Sequence, residues 1–334
     1  MMDRLTCHFC IQGGTNSFLA SIFNNIFKRL KSENSNIEFE HIPPNVKNGT
    51  AVIPRHGWGS SGGHASFQIV NPDNNKDIVL SFCDRGMDIV DSKSPWWETF
   101  WSEAVSKYEV VQYIGGLGIF PDGEKRFESS GIKWHKFLPY GSTHQLENGM
   151  CSKYTEPYDP TKKERKVCFY GAGYQPRLEV CKILSKHPLF DIVLQSEDPK
   201  KCYFHESYFE NIKKSKLGLS FNGAGEISVR DIEYFQLSIP VVRPFLNTPF
   251  LEPLISDIHY VSAGFSSSES SHWYPNMSHE EIAQYFIDTV ESVIDDDEKL
   301  KSIADNGNKY FKENINISNI CNKFFEICDL DKLK

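Results

Sequence analysis

The most chemically informative segment of the chain is a predicted buried strand that runs into a glycine turn and then a helix. It spans residues 217–233, with Gly223 and Gly225 in the turn. The first amides of a helix have free N–H groups and a partial positive charge, so this turn can bind a phosphate. Arg230, early in the helix, can reach the same anion with two hydrogen bonds.

Two acidic residues accompany this turn. Glu226 precedes the helix, and Glu233 lies three residues after Arg230, on roughly the same face. A carboxylate at Glu233 suits the hydroxyl groups of a ribose or a sugar rather than phosphates. The alternative is an ordinary glycine turn with an Arg–Glu pair on the surface. Glycines, a cation and an acid converge at one strand end, and this favours a binding site.

A second glycine turn lies upstream, where residues 169–177 read FYGAGYQPR. Gly171 and Gly173 lie between a predicted strand and a predicted helix. The third glycine of a GxGxxG motif is absent, which disfavours NAD binding and a Rossmann oxidoreductase. Arg177 at the helix start offers one more contact to a pyrophosphate; a structural arginine at a domain interface is the alternative.

The N-terminal half contains the candidates for acid–base chemistry. Gly13 and Gly14 follow the first predicted strand and form either a ligand-facing loop or a simple βα turn. A reaction that inverts configuration needs a base to deprotonate a hydroxyl group. Asp84, directly after a predicted strand, is the first candidate, and His56 and His64 in a glycine-rich loop follow. A reaction that retains configuration needs no such base.

These motifs resemble the donor-binding segment of group 1 glycosyltransferases with the GT-B fold, and also that of the CAP10-like transferases. In group 1 enzymes a glycine turn and an acid precede a helix and an x-x-G-x-P-V-V strand, which here reads QLSIPVVR over residues 236–243. Arg230 stands where the CAP10-like enzymes have an arginine. The resemblance covers roughly residues 165–312.

The chain departs from the family pattern at two places. Six residues separate Glu226 from Glu233, where the family often has seven, and Ser238 stands where glycine is usual. Glu233 matches the second, ribose-binding glutamate of the family better than Glu226 matches the first.

The resemblance implies a glycosyltransferase that uses a nucleotide-sugar donor, UDP- or GDP-linked, and a glycan, lipid-linked or protein acceptor. No metal or other cofactor is required, because arginines and helix amides would neutralise the departing diphosphate. A non-catalytic nucleotide- or sugar-binding protein of the same fold is the alternative. The run Asp295–Asp297 lies between two predicted helices and is interpreted as a solvated acidic cap.

Strands alternate with helices in both halves, which predicts an α/β fold with two parallel sheets. The resemblance implies GT-B architecture, two Rossmann-like domains with a cleft between them. We expect an acceptor-side domain at 1–150, a linker at 151–164, a donor domain at 165–315, and a C-terminal helix at 316–334 that could pack back on the first domain.

Composition limits the class of protein. The 334 residues are 40% hydrophobic and 24% charged with a net charge of −8, which disfavours nucleic-acid binding. Nine cysteines, scattered apart from the pair Cys7 and Cys10, indicate a reducing compartment. No stretch reaches the roughly 18 apolar residues of a membrane span. We therefore expect a soluble, cytoplasmic protein with no integral membrane segment.

Overall fold

The computed structural model describes residues 149–327, apart from 174–176, 196–205, 223–225, 248–249 and 267–275, together with the stretches 5–12, 25–26, 28–29, 31–32, 37–41, 64–70, 78–83, 109–114 and 133–135. The chain divides into two compact units. Unit 1 is Met1–Ser142 with Pro249–Glu252 and Ile317–Lys334, and unit 2 is Thr143–Thr248 with Pro253–Asn316.

Unit 1 contains a six-stranded sheet. In spatial order the sheet is β2-β1-β3-β4-β5-β6. The bounds are β1 (Leu5–Gln12), β2 (Ile37–His41), β3 (His64–Val70), β4 (Ile78–Cys83), β5 (Glu109–Ile114) and β6 (Lys133–His135).

The prediction of a wholly parallel first sheet is wrong. β3 runs antiparallel to both of its neighbours, β1 and β4, while the other pairs are parallel. Only residues 71–77 connect β3 to β4. A parallel crossover needs a dozen or more residues, so this connection permits only an antiparallel pair.

The C-terminal helix groups with unit 1. It spans Ile317–Ile327 and is numbered α6 below. The guanidinium of Arg29 donates to Asn322 Oδ1 at 2.7 Å and lies 4.2 Å from the ring centroid of Phe325. These contacts tie α6 to the helical residues that follow β1.

Unit 2 is an α/β unit with a five-stranded, entirely parallel sheet in the order β11-β10-β9-β7-β8. Its strands are β7 (Glu164–Gly171), β8 (Phe190–Leu194), β9 (Ser215–Leu219), β10 (Val241–Phe245) and β11 (Val261–Ser266). Its helices are α1 (Arg177–Leu184), α2 (Glu206–Ile212), α3 (Val229–Gln236), α4 (His279–Val293) and α5 (Asp297–Asn314).

The core of unit 2 lies between this sheet and its helices. The inner strands read as continuous apolar runs because both of their faces are covered, and Val167, Leu217 and Val242 are fully buried. α4 packs a stripe at helical spacing on the sheet, including Ile282 and Phe286. Burial of each such side chain stabilises the fold by about 1.5–3 kcal/mol. This core fixes where the strands end.

The segment before β7 packs on unit 2. It contains two 3-10 turns, Met150–Tyr154 and Pro160–Lys162. The ring of Tyr154 stacks on Phe209 with centroids 5.3 Å apart, and the buried Tyr158 donates its hydroxyl to the Lys216 carbonyl at 2.9 Å. Residues 151–164, predicted as a linker, therefore lie against the sheet and helices of unit 2.

The acidic run between α4 and α5 has ordinary surface roles. Asp296 caps α5 by accepting from the backbone amide of Lys299 at 3.0 Å. Asp295 pairs with Arg165, and Asp297 pairs with Lys216. The predicted acidic cap is confirmed.

Candidate functional site

The chain reverses its direction of winding between β7 and β9. From β7 it proceeds to β8 on one side of the sheet and then returns to β9 on the other side. In parallel sheets, ligands bind in the crevice outside the carboxyl ends of the strands at such a switch point. β7 ends at Gly171, and β9 is followed by Ser220, Phe221 and Asn222. Both glycine turns singled out in the sequence therefore start at this crevice.

Two predicted cations converge at this edge of the sheet. The guanidinium carbon of Arg177, at the start of α1, lies 5.6 Å from the ring centroid of Phe169. That of Arg230, in the first turn of α3, lies 5.1 Å from the same centroid. Phe169 is buried near the end of β7. Both guanidinium groups therefore share one aromatic neighbour at this end of the sheet.

Arg230 is oriented through a hydrogen-bonded relay. Its Nη1 donates to the hydroxyl of Tyr208 on α2 at 2.7 Å, and that hydroxyl donates to Glu233 Oε2. Burial raises the pKa of Tyr208 well above its usual value, against the opposing effect of Arg230. The phenol therefore stays protonated and can donate to the glutamate while accepting from the arginine.

The absence of a side chain at Gly171 lets Arg230 approach the strand. A Cβ atom built on Gly171 would lie 2.8 Å from Arg230 Nη2 and 3.2 Å from Phe169 Cζ. Gly173 has a different environment, since a Cβ there would meet Leu178 and Leu194 at 3.1 Å. Gly171 makes room for a cation, and Gly173 makes room for packing between helix and strand.

Arg177 is nearly enclosed, with 7% of its surface exposed, and its Nη2 donates to the Asn222 carbonyl at 2.9 Å. Asn222 is itself buried, and its Nδ2 has no hydrogen-bond partner among the residues that the structure describes. The start of α1 is therefore tied to the end of β9.

The two candidate acids are buried. Glu226 is 1% exposed and its Oε2 accepts from the Asn247 amide at 2.9 Å. Glu233 is 6% exposed and accepts from Tyr208. In the described part of the chain each acid holds a neighbouring group in place. That Glu226 or Glu233 contacts a sugar or ribose hydroxyl remains a prediction.

The backbone register of unit 1 brings three predicted positions to one end of its sheet. His64 opens β3 and pairs with Gln12 on one side and with Cys83 on the other. Gln12 directly precedes Gly13, and Cys83 directly precedes Asp84. The antiparallel direction of β3, which the sequence analysis missed, places His64 next to these two strand ends.

Several candidates lie outside the described residues. These are Gly13, Gly14, His56, Asp84, Gly223 and Gly225. Their roles remain predictions.

Three residues of the site were not proposed from the sequence: Phe169, Tyr208 and Asn222. Each acts through contacts with residues that are far from it along the chain. The burial expected of β7 was a signal for Phe169. For Tyr208 and Asn222, no local pattern indicated their partners.

No group of three or more His, Cys, Asp or Glu side chains in the part of the chain that the structure describes is arranged to hold a metal ion. None of the described helices combines the length and the apolar character that crossing a membrane requires.

Comparison with known proteins gave structural matches at low sequence identity. No family model matches the chain, and no curated protein matches it. Among solved structures, sucrose-phosphate synthase from Thermosynechococcus elongatus has a TM-score of 0.45 at 9% identity, over 73% of this chain and 64% of the synthase. The chain thus spans less than two thirds of that protein. HepE from Anabaena, solved in complex with UDP-glucose, has a TM-score of 0.43 at 10% identity, over 98% of this chain and 100% of HepE.

Proposed function

We propose that the protein is a glycosyltransferase whose unit 2 binds the diphosphate of a nucleotide sugar, UDP- or GDP-linked, between the ends of β7 and β9. The observation that carries the proposal is the convergence of Arg177 and Arg230 on Phe169 at the switch point of a parallel sheet.

The chemistry of the transfer suits these residues. The bond from the anomeric carbon to the diphosphate breaks, and a bond from that carbon to an acceptor hydroxyl oxygen forms. The departing diphosphate gains negative charge, which cations and helix amides held in advance stabilise. Arg177, Arg230 and the first amides of α3 would meet that charge. In this proposal Glu233 supports Arg230 through Tyr208. Glu233 also contacts the ribose directly.

The acceptor would be a glycan, a lipid-linked molecule or a protein, and unit 1 would bind it. If the reaction inverts configuration, Asp84 is the first candidate base, and His64 and His56 follow. The register that sets His64 beside Gln12 and Cys83 supports a common location for His64 and Asp84.

The test is nucleoside diphosphate release from UDP- and GDP-linked hexoses, with and without a mixed pool of glycan acceptors. Arg230→Gln should lower kcat/KM about 100-fold, the usual effect of removing one group that stabilises charge in the transition state. Arg165→Gln is the matched control, because Arg165 lies at the opposite end of β7 in an exposed pair with Asp295. Equal rates for Arg230→Gln and the wild type would refute the donor site.

Binding and catalysis are separated by a second readout. Nucleotide sugars that bind the wild type with micromolar affinity but release no diphosphate under any acceptor condition would favour the non-catalytic alternative. Asp84→Asn should abolish transfer without weakening donor binding if Asp84 is the base.

A further inference from the structure

Arg243 on β10 is completely buried; two of its three guanidinium nitrogens donate hydrogen bonds within the protein, and the third lies in an ion pair. Nε donates to the Pro244 carbonyl at 3.2 Å, and Nη2 donates to Asn222 Oδ1 at 3.1 Å and to the Glu226 carbonyl. Nη1 lies 2.9 Å from Asp231 Oδ1, an ion pair by distance whose angles are not those of a hydrogen bond. The side chain is therefore fixed in position and is closed to any ligand.

A single nitrogen of this side chain joins the two sides of the candidate site. Asn222 follows β9, and Glu226 precedes α3. Both accept from Arg243 Nη2, so the end of the strand and the approach to the helix are held at a fixed distance. The carbonyl of Asn222 in turn accepts from Arg177, one of the two converging cations.

Asp231 extends this connection into the helix that presents Arg230. Its Oδ2 accepts from the Ser228 amide at 2.6 Å and from the Ser228 hydroxyl at 2.9 Å, which caps the first turn of α3. The Ser228 hydroxyl lies 3.1 Å from the Ser220 hydroxyl beyond the end of β9. The first turn of α3 is thus attached both to β9 and, through Asp231, to β10.

A buried ion pair is an inefficient way to stabilise a sheet. Arg243 and Asp231 are both 0% exposed, and removing two charges from water costs several kcal/mol per ion. Apolar residues of similar volume often stabilise a fold as well or better. β9 and β10 are already joined by backbone hydrogen bonds and by apolar side chains. The pair supplies something that those contacts lack: Arg243 holds Asn222 and Glu226 in place, and Asp231 holds Ser228.

We propose that Arg243 and Asp231 are positioning residues that fix the start of α3 and the end of β9, and thereby hold Arg230, Arg177 and the first helix amides where a diphosphate binds. The inference rests on the proposed function for its ligand. It assigns Arg243 no contact with that ligand.

The test compares Arg243→Lys with the wild type. The ammonium group of lysine keeps the charge opposite Asp231, but it is a point donor that cannot reproduce the planar fork spanning four partners. We expect at least a tenfold weaker affinity for the preferred nucleoside diphosphate by isothermal titration calorimetry. Asp231→Asn, which keeps an acceptor for Ser228 but removes the charge, should weaken binding in the same direction.

A matched variant separates positioning from loss of stability. Val290→Ala shortens a fully buried side chain of α4 and lowers the stability of the fold at a place remote from the crevice. The comparison is made at a temperature where circular dichroism shows Arg243→Lys and Val290→Ala to be fully folded. There Val290→Ala should bind the nucleotide with the affinity of the wild type. Equal affinity of Arg243→Lys and Val290→Ala, whether unchanged or equally weakened, would overturn the positioning role.

Hydrogen exchange tests the inference without a ligand. If the wild type binds no nucleoside diphosphate, the proposed function fails. The exchange rates of peptides covering residues 226–231 still test whether Arg243 fixes the start of α3. In Arg243→Lys the amides of these peptides should exchange at least tenfold faster than in the wild type, with α4 and β11 unchanged. Exchange that stays the same at 226–231, or that rises equally throughout unit 2, would refute the positioning role.

Discussion

At the scale of single residues, Arg230 takes its orientation from three neighbours. Phe169 packs against its guanidinium, Gly171 leaves space for it, and Tyr208 accepts a hydrogen bond from it. Tyr208 in turn is held by Glu233. The cation proposed to meet the diphosphate is thus ordered before any ligand arrives, which reduces the entropy lost on binding.

The phenol of Tyr208 provides a direct test of this preorganisation. Tyr208→Phe removes the acceptor of Arg230 and leaves Glu233 without its donor. We expect about tenfold weaker nucleotide affinity. A tenfold change corresponds to about 1.4 kcal/mol, the upper end of the net contribution of one hydrogen bond. Tyr158→Phe is the control, because Tyr158 also donates a buried hydroxyl, to Lys216, away from the site. Similar affinity losses in the two variants, measured by calorimetry, would contradict the relay.

The sequence identified Arg177, Arg230 and Gly171 because each lies at a predicted strand end or helix start. Tyr208 and Arg243 could not be recognised in this way. Tyr208 is one of two aromatic residues in α2, and Arg243 lies in the middle of β10 with nothing in the sequence around it to indicate its partners. Their roles depend on which atoms the folded chain brings to them, and no spacing along the sequence encodes that.

At the scale of elements, the approach of α3 to the end of β7 depends on Gly171. A methyl group there would meet Arg230 Nη2 at 2.8 Å. The added methyl group would press on the end of the long Arg230 side chain, and the fold can adjust by displacing that side chain. The cost should therefore appear in ligand binding more than in folding.

Gly171→Ala should weaken nucleotide affinity about tenfold while changing the free energy of unfolding by less than about 1.5 kcal/mol. The control is Gly264→Ala on β11, two strands from β9 in the sheet. Gly264 has φ +79°, so an alanine there costs about 1–2 kcal/mol of stability. We expect it to leave affinity unchanged. Calorimetry measures the nucleotide affinity of both variants, and urea denaturation measures their free energy of unfolding. Unchanged affinity in Gly171→Ala, or weakened affinity in Gly264→Ala, would contradict the role of Gly171 at the site.

The turn between α3 and β10 places a residue that carries a side chain in a left-handed conformation. Ser238 adopts φ +55°, which glycine reaches without strain. The chain tolerates the strain because the turn is fixed on both sides. Ser238 N donates to the Phe235 carbonyl at 3.2 Å, and Ile239 N donates to the Tyr234 carbonyl at 2.8 Å.

Ser238→Gly should raise the free energy of unfolding by about 0.5–1 kcal/mol, because relief of the left-handed strain exceeds the entropy that glycine adds to the unfolded chain. Ser292→Gly, in the last turn of α4, should lower it by about 0.5 kcal/mol, since glycine is the poorer helix former. Thermal or urea unfolding of both variants measures the effect. A loss of stability in Ser238→Gly would contradict this account of the turn.

At the scale of the whole molecule, the predicted alternation of strands and helices matched the sheet of unit 2 closely. Unit 1 differed in the direction of β3. Hydrophobic patterning places strands but does not give their direction, and the short connection 71–77 was the available signal. The order of strands in unit 2, which creates the switch point, depends on packing across the sheet and was not predictable from periodicity.

The central claim is that unit 2 binds a nucleoside diphosphate between β7 and β9. A ligand that binds only the native state stabilises it by about 2.7 kcal/mol at a concentration of 100 times its Kd, which raises the Tm by several degrees. Thermal denaturation with UDP, GDP, ADP and TDP therefore tests the claim most directly. We predict that UDP or GDP raises the Tm of the wild type and of Arg165→Gln, and that Arg177→Gln and Arg230→Gln lose the shift. No shift with any of the four nucleotides, or an undiminished shift in Arg177→Gln and Arg230→Gln, would contradict it.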